Sequence, residues 1–329
     1  MLNFFFDVEK NPVAWLTLVS IKALQWLWRQ PSILLILMCL FYAGNAIAGK
    51  MAVGLITPYQ ITFGRWVATG IVLFLIYSRQ VRLAWPVLRP HWFYIALMAG
   101  LGLVSFNILF YNAAHRTSAI NIGILQASIP VFTLMGALAF IHATKVTWQQ
   151  SFGLAIGLVG VVTVATHGAL SAVMDIKFNL GDLMMISACA VFAGFTVSLK
   201  NRPAVTPVIF FAVMCVPAAI LPAPFAIYEM ASGAAKFPTT AGWLILLYVV
   251  LFPSLLGQVF FFRSLDLIGP ARTNMFLNLI PIFAALMAIG LLGEIFRSYH
   301  AIALVLVFGG LWLSRERASA TASHTPDKT

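Results

Sequence analysis

The chain has 329 residues, of which 61% are hydrophobic and only 9% charged, with a net charge of +11; its mean hydropathy is +0.96. That composition excludes an ordinary soluble domain and points to an integral membrane protein. The basic residues are scattered singly between long apolar runs, so the positive charge marks topology, and no nucleic-acid partner is expected.

The first 31 residues form an N-terminal segment. MLNFFFDVEK carries acidic residues and no cleavage-type pattern, so no signal peptide is read there. Residues 12–29 are apolar and tryptophan-rich but interrupted by Lys22. Lys22, Gln25 and Arg29 fall on one side, which fits a helix lying in the membrane interface better than a crossing. Beyond it, apolar runs of the roughly 20 residues that a crossing helix needs recur at 32–53, 58–78, 91–112, 118–140, 147–166, 180–200, 207–230, 239–265, 270–292 and 298–313. The expected fold is therefore an all-α integral membrane protein with ten transmembrane helices. The polar tail, 316–329, is rich in Ser, Thr and Ala and is expected to be disordered.

Ten crossings leave both termini on one side. Of the 20 Lys and Arg, fourteen lie on that side, five (Lys50, Arg116, Lys177, Lys236 and Arg297) lie on the other, and Arg65 falls inside a helix. Positive residues favour the cytoplasmic face, so both termini are expected in the cytoplasm of a bacterial-type inner membrane.

Two of the runs carry a proline near the middle. Ile129, Pro130 and Phe132 reappear 151 residues later as Ile280, Pro281 and Phe283. Cys39, Ala43, Gly44 and Lys50 likewise recur 150 residues on as Cys189, Ala193, Gly194 and Lys200. The chain therefore reads as two five-helix repeats, 32–168 and 169–315. Five being odd, the second repeat enters the membrane from the opposite face and the repeats are inverted. Each proline removes a backbone donor and displaces a carbonyl, which a membrane tolerates only where protein or water re-satisfies it. Pro130 and Pro281 are expected to be hinges, freeing the carbonyls of Gln126 and Leu277.

Polar side chains gather on the third, fourth, eighth and ninth runs. Asn107 and Tyr111 share a helix face at i and i+4, and Asn107 corresponds to Gln258 in the second repeat. Asn274 and Asn278 share a face with Pro281, while Gln126 precedes Pro130 and Asn45 sits midway along the first run. Singly, such amides serve helix packing; together, Asn45, Asn107, Tyr111, Gln126, Gln258, Asn274 and Asn278 could line a polar substrate cavity. Arg65 could attract an anionic or carboxylate-bearing solute, or could snorkel to the membrane surface. None of the nine carboxylates falls at mid-membrane. Cys39, Cys189 and Cys215 show no paired spacing, so neither disulfide nor metal site is indicated, and their expected role is as small buried residues. The near-match to a phosphate loop at 44–51, GNAIAGKM, ends in Met and lies within an apolar run, which makes it packing.

Residues 111–132, YNAAHRTSAINIGILQASIPVF, and 261–283, FFRSLDLIGPARTNMFLNLIPIF, each resemble the third-to-fourth helix signature of the EamA-type drug/metabolite transporter superfamily. LLGE at 291–294 resembles that family's ending, and FGRW at 63–66 resembles its second-helix arginine. The first half departs from the pattern, reading FIHAT at 140–144 where the family often has a glutamate. The resemblance implies a ten-helix carrier that exports a small polar metabolite, an amino acid or related compound, by alternating access. The expected partners are that solute and the lipid bilayer, with the chain acting as a monomer or weak homodimer. A lipid-linked or polyprenyl-phosphate flippase is the alternative. An integral-membrane enzyme fits less well, because no clustered carboxylates, metal-ligand spacing or nucleophile with a base is present, and no cofactor is expected.

Overall fold

The computed structural model describes residues 25–140, 147–168, 179–235 and 237–313. The segment expected over 1–31, apart from residues 25–31, and the tail expected over 316–329 fall outside the described residues. Among the described residues every regular element is helical.

The first half runs α1 (Pro31–Met51), α2 (Pro58–Leu88), α3 (Trp92–Ala99), α4 (Phe106–Ala114), α5 (Ala119–Gln126), α6 (Ile129–Phe140) and α7 (Trp148–Ala165). The second half runs α8 (Leu180–Ser198), α9 (Pro207–Ile220), α10 (Ala223–Ala231), α11 (Thr240–Val249), α12 (Gly257–Phe276), α13 (Ile280–Leu292) and α14 (Ser298–Leu313). Six helical stretches are long and apolar enough to cross a membrane, and one of them, Pro58–Ala114, is 57 residues long, far more than the roughly 20 of a single crossing.

The helix starts follow local chemistry. Thr57 opens α2 with a reciprocal capping box: its side chain accepts from the Gln60 N–H, and the Gln60 side chain accepts from the Thr57 N–H. Thr147 does the same for α7 with Gln150. The span expected to end at residue 78 continues as helix to Leu88, because Arg79, Gln80 and Arg82 are good helix formers and Val81 and Leu88, seven residues apart, both bury their side chains.

Both proline runs are true breaks. α5 stops at Gln126, and α6 restarts with Pro130 in its first turn; in the second half a 3₁₀ turn, Leu277–Leu279, precedes α13, whose first turn holds Pro281. Proline suits that position, since a first-turn residue has no intrahelical use for its N–H. The carbonyls recruited at the breaks differ from those expected by one residue. Cys189 donates its thiol to the Leu125 carbonyl at 3.3 Å, and Cys39 donates to the Phe276 carbonyl at 3.0 Å. Leu125 and Phe276 each lie five residues before their proline, so each half's first helix brings a donor to the other half's break, where the Leu125 carbonyl also accepts from the Ser128 hydroxyl at 2.6 Å.

One expected boundary is missing. α12 runs through residues 265–270 without the turn that the sequence placed there. In the first half, Ser118 starts a new helix by accepting from the Asn121 N–H; the equivalent residue is Gly269, which brings no capping side chain.

The dominant packing is between halves. α1 lies against α12 and α13, α8 lies against α4 and α6, α2 pairs with α9, α5 with α13, and α7 with α14. The α7–α14 seam is made by glycines. A methyl group at Gly310 would run into the Gly153 carbonyl and the Gly157 backbone, whereas one at Gly309 meets nothing within 4 Å. Gly310→Ala should therefore lower the melting temperature of the detergent-solubilised protein, in line with overpacking costs of about 1–3 kcal/mol. Gly309→Ala should leave it unchanged or raise it, because Ala exceeds Gly in helix propensity by about 1 kcal/mol. Equal effects at the two positions contradict this account of the seam.

Candidate functional site

Two π-helical segments occupy matching places, Gly100–Ser105 between α3 and α4 and Val250–Leu256 between α11 and α12. A π turn shifts the amide register and leaves carbonyls available to side chains, and such turns are frequent at functional sites. Here the Leu103 carbonyl receives the Trp66 indole N–H at 3.1 Å and the Asn107 amide at 2.5 Å. In the second segment Ser254 donates to the Val249 carbonyl at 2.6 Å.

These turns aim their neighbours at one group, the Arg65 guanidinium. Arg65 lies two turns into α2 and is only 4% exposed. Its Nη1 donates to Asn107 Oδ1 at 2.5 Å and to Tyr111 Oη at 2.7 Å. Its Nε donates to Ser254 Oγ at 2.9 Å, across the boundary between halves. Tyr111 passes its own proton on to Asn45 Oδ1 at 2.9 Å. The guanidinium carbon also stands 4.8 Å from the Trp66 ring centre and 5.9 Å from that of Tyr111, within cation–π range. Every one of these partners is neutral. Among the described residues the single acid–base contact joins His167 and Asp182, an ion pair only when that imidazole is protonated, and Arg65 takes part in none.

The structure thus brings Asn45, Arg65, Asn107 and Tyr111 together and adds Ser254, which the sequence reading missed. Arg65 turns inward, against the expectation that it could snorkel outward. Ser254 gave no signal: it is one hydroxyl beside a proline, and only the π turn aims it. The other expected lining residues lie elsewhere or are unjoined to this network. Gln126 ends α5 with its buried Nε2 lacking a hydrogen-bond partner. Gln258 and Asn278 are half-buried, on α12 and on the 3₁₀ turn before α13. Asn274 lies in α12, and its side chain is outside the described residues. Two cavities open at opposite ends of α1. One of about 650 Å³ is lined by His167, Arg297, Ser298 and Tyr299; the other, of about 440 Å³, is lined by Gln25, Trp28, Arg29 and Arg263.

A buried polar group stripped of its partner loses its compensation for desolvation, at a cost of about 1–3 kcal/mol. Asn107→Leu should lower the melting temperature in detergent accordingly, and more than Asn112→Leu, whose amide serves only the Ile108 carbonyl of its own helix. Equal stability of the two variants contradicts the arrangement.

Compared with known proteins, the chain matches the model of the EamA-like transporter family twice, over residues 30–166 and 179–315. It is 22% identical over 273 residues to the uncharacterized transporter YetK of Bacillus subtilis, covering 82% of each chain. Over 173 residues, 51% of each chain, it is 27% identical to a Chlamydia trachomatis protein named as an S-adenosylmethionine/S-adenosylhomocysteine transporter. A crystal structure aligns with 87% of this chain and 98% of its own length at a TM-score of 0.59 and 19% identity, a likeness of fold.

Proposed function

Because the chain belongs to the EamA-like transporter family, and so is a multi-pass membrane transporter and not an enzyme, we propose that it exports a small polar metabolite bearing a carboxylate, an amino acid or a close relative, by alternating access. The observation that carries this reading is the unbalanced charge of Arg65. A cation inside an apolar bundle is costly unless paired, and Asn107, Tyr111 and Ser254 supply dipoles but no negative charge. A solute carboxylate would complete the site and could accept from Nη2, the guanidinium nitrogen that none of these bonds uses. An amino acid's ammonium, already balanced by its own carboxylate, would find amide oxygens such as that of Asn45. A named carrier of S-adenosylmethionine among the relatives supports the same class, since that molecule is itself an α-amino acid.

In this reading the ten apolar runs are ten crossings arranged as two inverted repeats, 32–168 and 169–315, with both termini cytoplasmic. The packing of α1 on α12 and α13, mirrored by α8 on α4 and α6, supports that symmetry. Lys50, Asp182 and Glu294 then sit at the outer end, and Arg263 and Trp28 at the inner end. The proline breaks serve as hinges between the rocking halves.

Two outcomes are expected. Cells expressing the protein should survive toxic amino-acid analogues but gain no protection from ethidium-like cations, and Arg65→Gln should abolish the protection at unchanged membrane abundance. Protection against the cations alone contradicts the substrate class. Pro130→Ala and Pro281→Ala restore a backbone donor and a continuous helix, and should slow export into everted vesicles by more than they reduce abundance; wild-type rates in both variants would reduce the breaks to packing features.

A further inference from the structure

At the end of the bundle opposite Arg263, five cross-half contacts converge on the start of α5. Glu294 accepts from the backbone N–H groups of Ala119 at 2.8 Å and Ile120 at 3.0 Å, occupying the positive end of that helix. It does not pair with Arg297, three residues further along the chain. Gly293, at φ +66°, makes the left-handed turn that carries the chain there from α13. Asp182, on α8, is fully buried. It accepts from the Thr117 hydroxyl at 2.5 Å and from the Asn121 amide at 3.3 Å. Asn179 donates to the Arg116 carbonyl at 3.1 Å.

Asp182 is a buried carboxylate whose every hydrogen bond reaches into the other half. Around it stand His167 from the end of α7, with Nε2 3.7 Å from Oδ2, and Asn121 from α5. Through Asn121 it meets His300 of α14, whose Nε2 lies 3.1 Å from Asn121 Oδ1. His300 Nδ1 accepts the Arg297 backbone N–H, which leaves the Nε2 proton to be donated to Asn121. Tyr299 stacks edge-on against both His167 and His300. Arg116 lies against Gly181, and Lys50 donates to the Ala114 and Thr117 carbonyls at 3.1 Å and 2.7 Å. His115, between these cations, is held below the ordinary imidazole range by burial, then by Arg116 and Lys50. The seam thus holds three fixed cations, Lys50, Arg116 and Arg297, and three histidines against two described carboxylates.

We propose that Asp182 is a proton-binding site which governs the outer gate: ionised, it holds α8 to the start of α5, and on taking a proton from outside it lets the halves part. The ionised carboxylate makes charge-assisted bonds to Thr117 and Asn121, roughly twice as strong as their neutral counterparts. Protonation removes that strength and leaves the surrounding cations balanced by Glu294 alone. A carrier that needs no carboxylate at mid-membrane can in this way still respond to the external proton concentration.

The word gate rests on the carrier reading, but the test needs no substrate, so it can fail independently of that reading. Ala119 is fully buried beneath Glu294, while Val53, at the same end, is 40% exposed. The three native cysteines are buried. Ala119→Cys, labelled with a membrane-impermeant maleimide in right-side-out vesicles and normalised to Val53→Cys, should react severalfold faster at pH 5 than at pH 8. With Asp182→Asn added it should react fast at both. His167→Asn, which suits the positive φ of that residue, removes the imidazole whose protonated form favours ionised Asp182 and should move opening to higher pH. Labelling that ignores pH, an Asp182→Asn protein that behaves as wild type, or an opening that stays in place or moves to lower pH in His167→Asn would each overturn the proposal.

Discussion

A guanidinium enclosed by an apolar helical bundle with no carboxylate beside it constrains the rest of the molecule. Isolated, it would be excluded from such a setting by a desolvation cost of several kcal/mol. It is held because two elements present three oxygens: Asn107 and Tyr111 on one face of α4, and Ser254 on the π turn before α12. The two π segments, at equivalent places in the halves, tie the backbone to this task. One lends the Leu103 carbonyl to Trp66 and Asn107, and the other lends the Val249 carbonyl to Ser254. What remains unmatched is charge, and charge is what a solute can bring.

The same exchange between halves recurs at every level. Cys39 and Cys189, equivalent residues of α1 and α8, each donate to the carbonyl at the other half's break. α1 and α8 each pack on the partner half's third and fourth helices, and α7 and α14 close the bundle through glycines that permit backbone contact. At each break a thiol from the other half joins whatever bonds the broken helix makes for itself, such as the Ser128 hydroxyl on the Leu125 carbonyl. Motion of one half against the other therefore changes hydrogen bonding at the breaks and at the Arg65 site together.

Much of this was legible in the sequence because it is periodic. Apolar runs, a duplicated Ile-Pro-x-Phe and the spacing of Asn107 and Tyr111 all follow from helix geometry or from the repeat. The unread parts depend on distant pairs. Ser254 meets Arg65 across 189 residues of chain, and its direction comes from a π turn that no regular spacing announces. Without it Arg65 reads as a residue near a helix end that could snorkel outward. Cys39 and Cys189 read as small buried residues; that their thiols are donors depends on carbonyls exposed at the other half's breaks. The place of Glu294, three residues from Arg297, does not announce that two backbone N–H groups at the start of α5 take its carboxylate. The missing turn near Pro270 shows the reverse case, in which the repeat implied a helix start that Gly269 has no side chain to cap.

If Arg65 is the carboxylate site, ligand charge and not ligand size should decide binding. The most direct measurement is the thermal shift of purified protein with three solutes built on one side chain: an amino acid, its methyl ester and the corresponding amine. The account predicts that only the free carboxylate raises the melting temperature, and that the rise disappears in Arg65→Gln. Stabilisation by the amine or the ester equal to that by the amino acid, or a shift that survives Arg65→Gln, would contradict it.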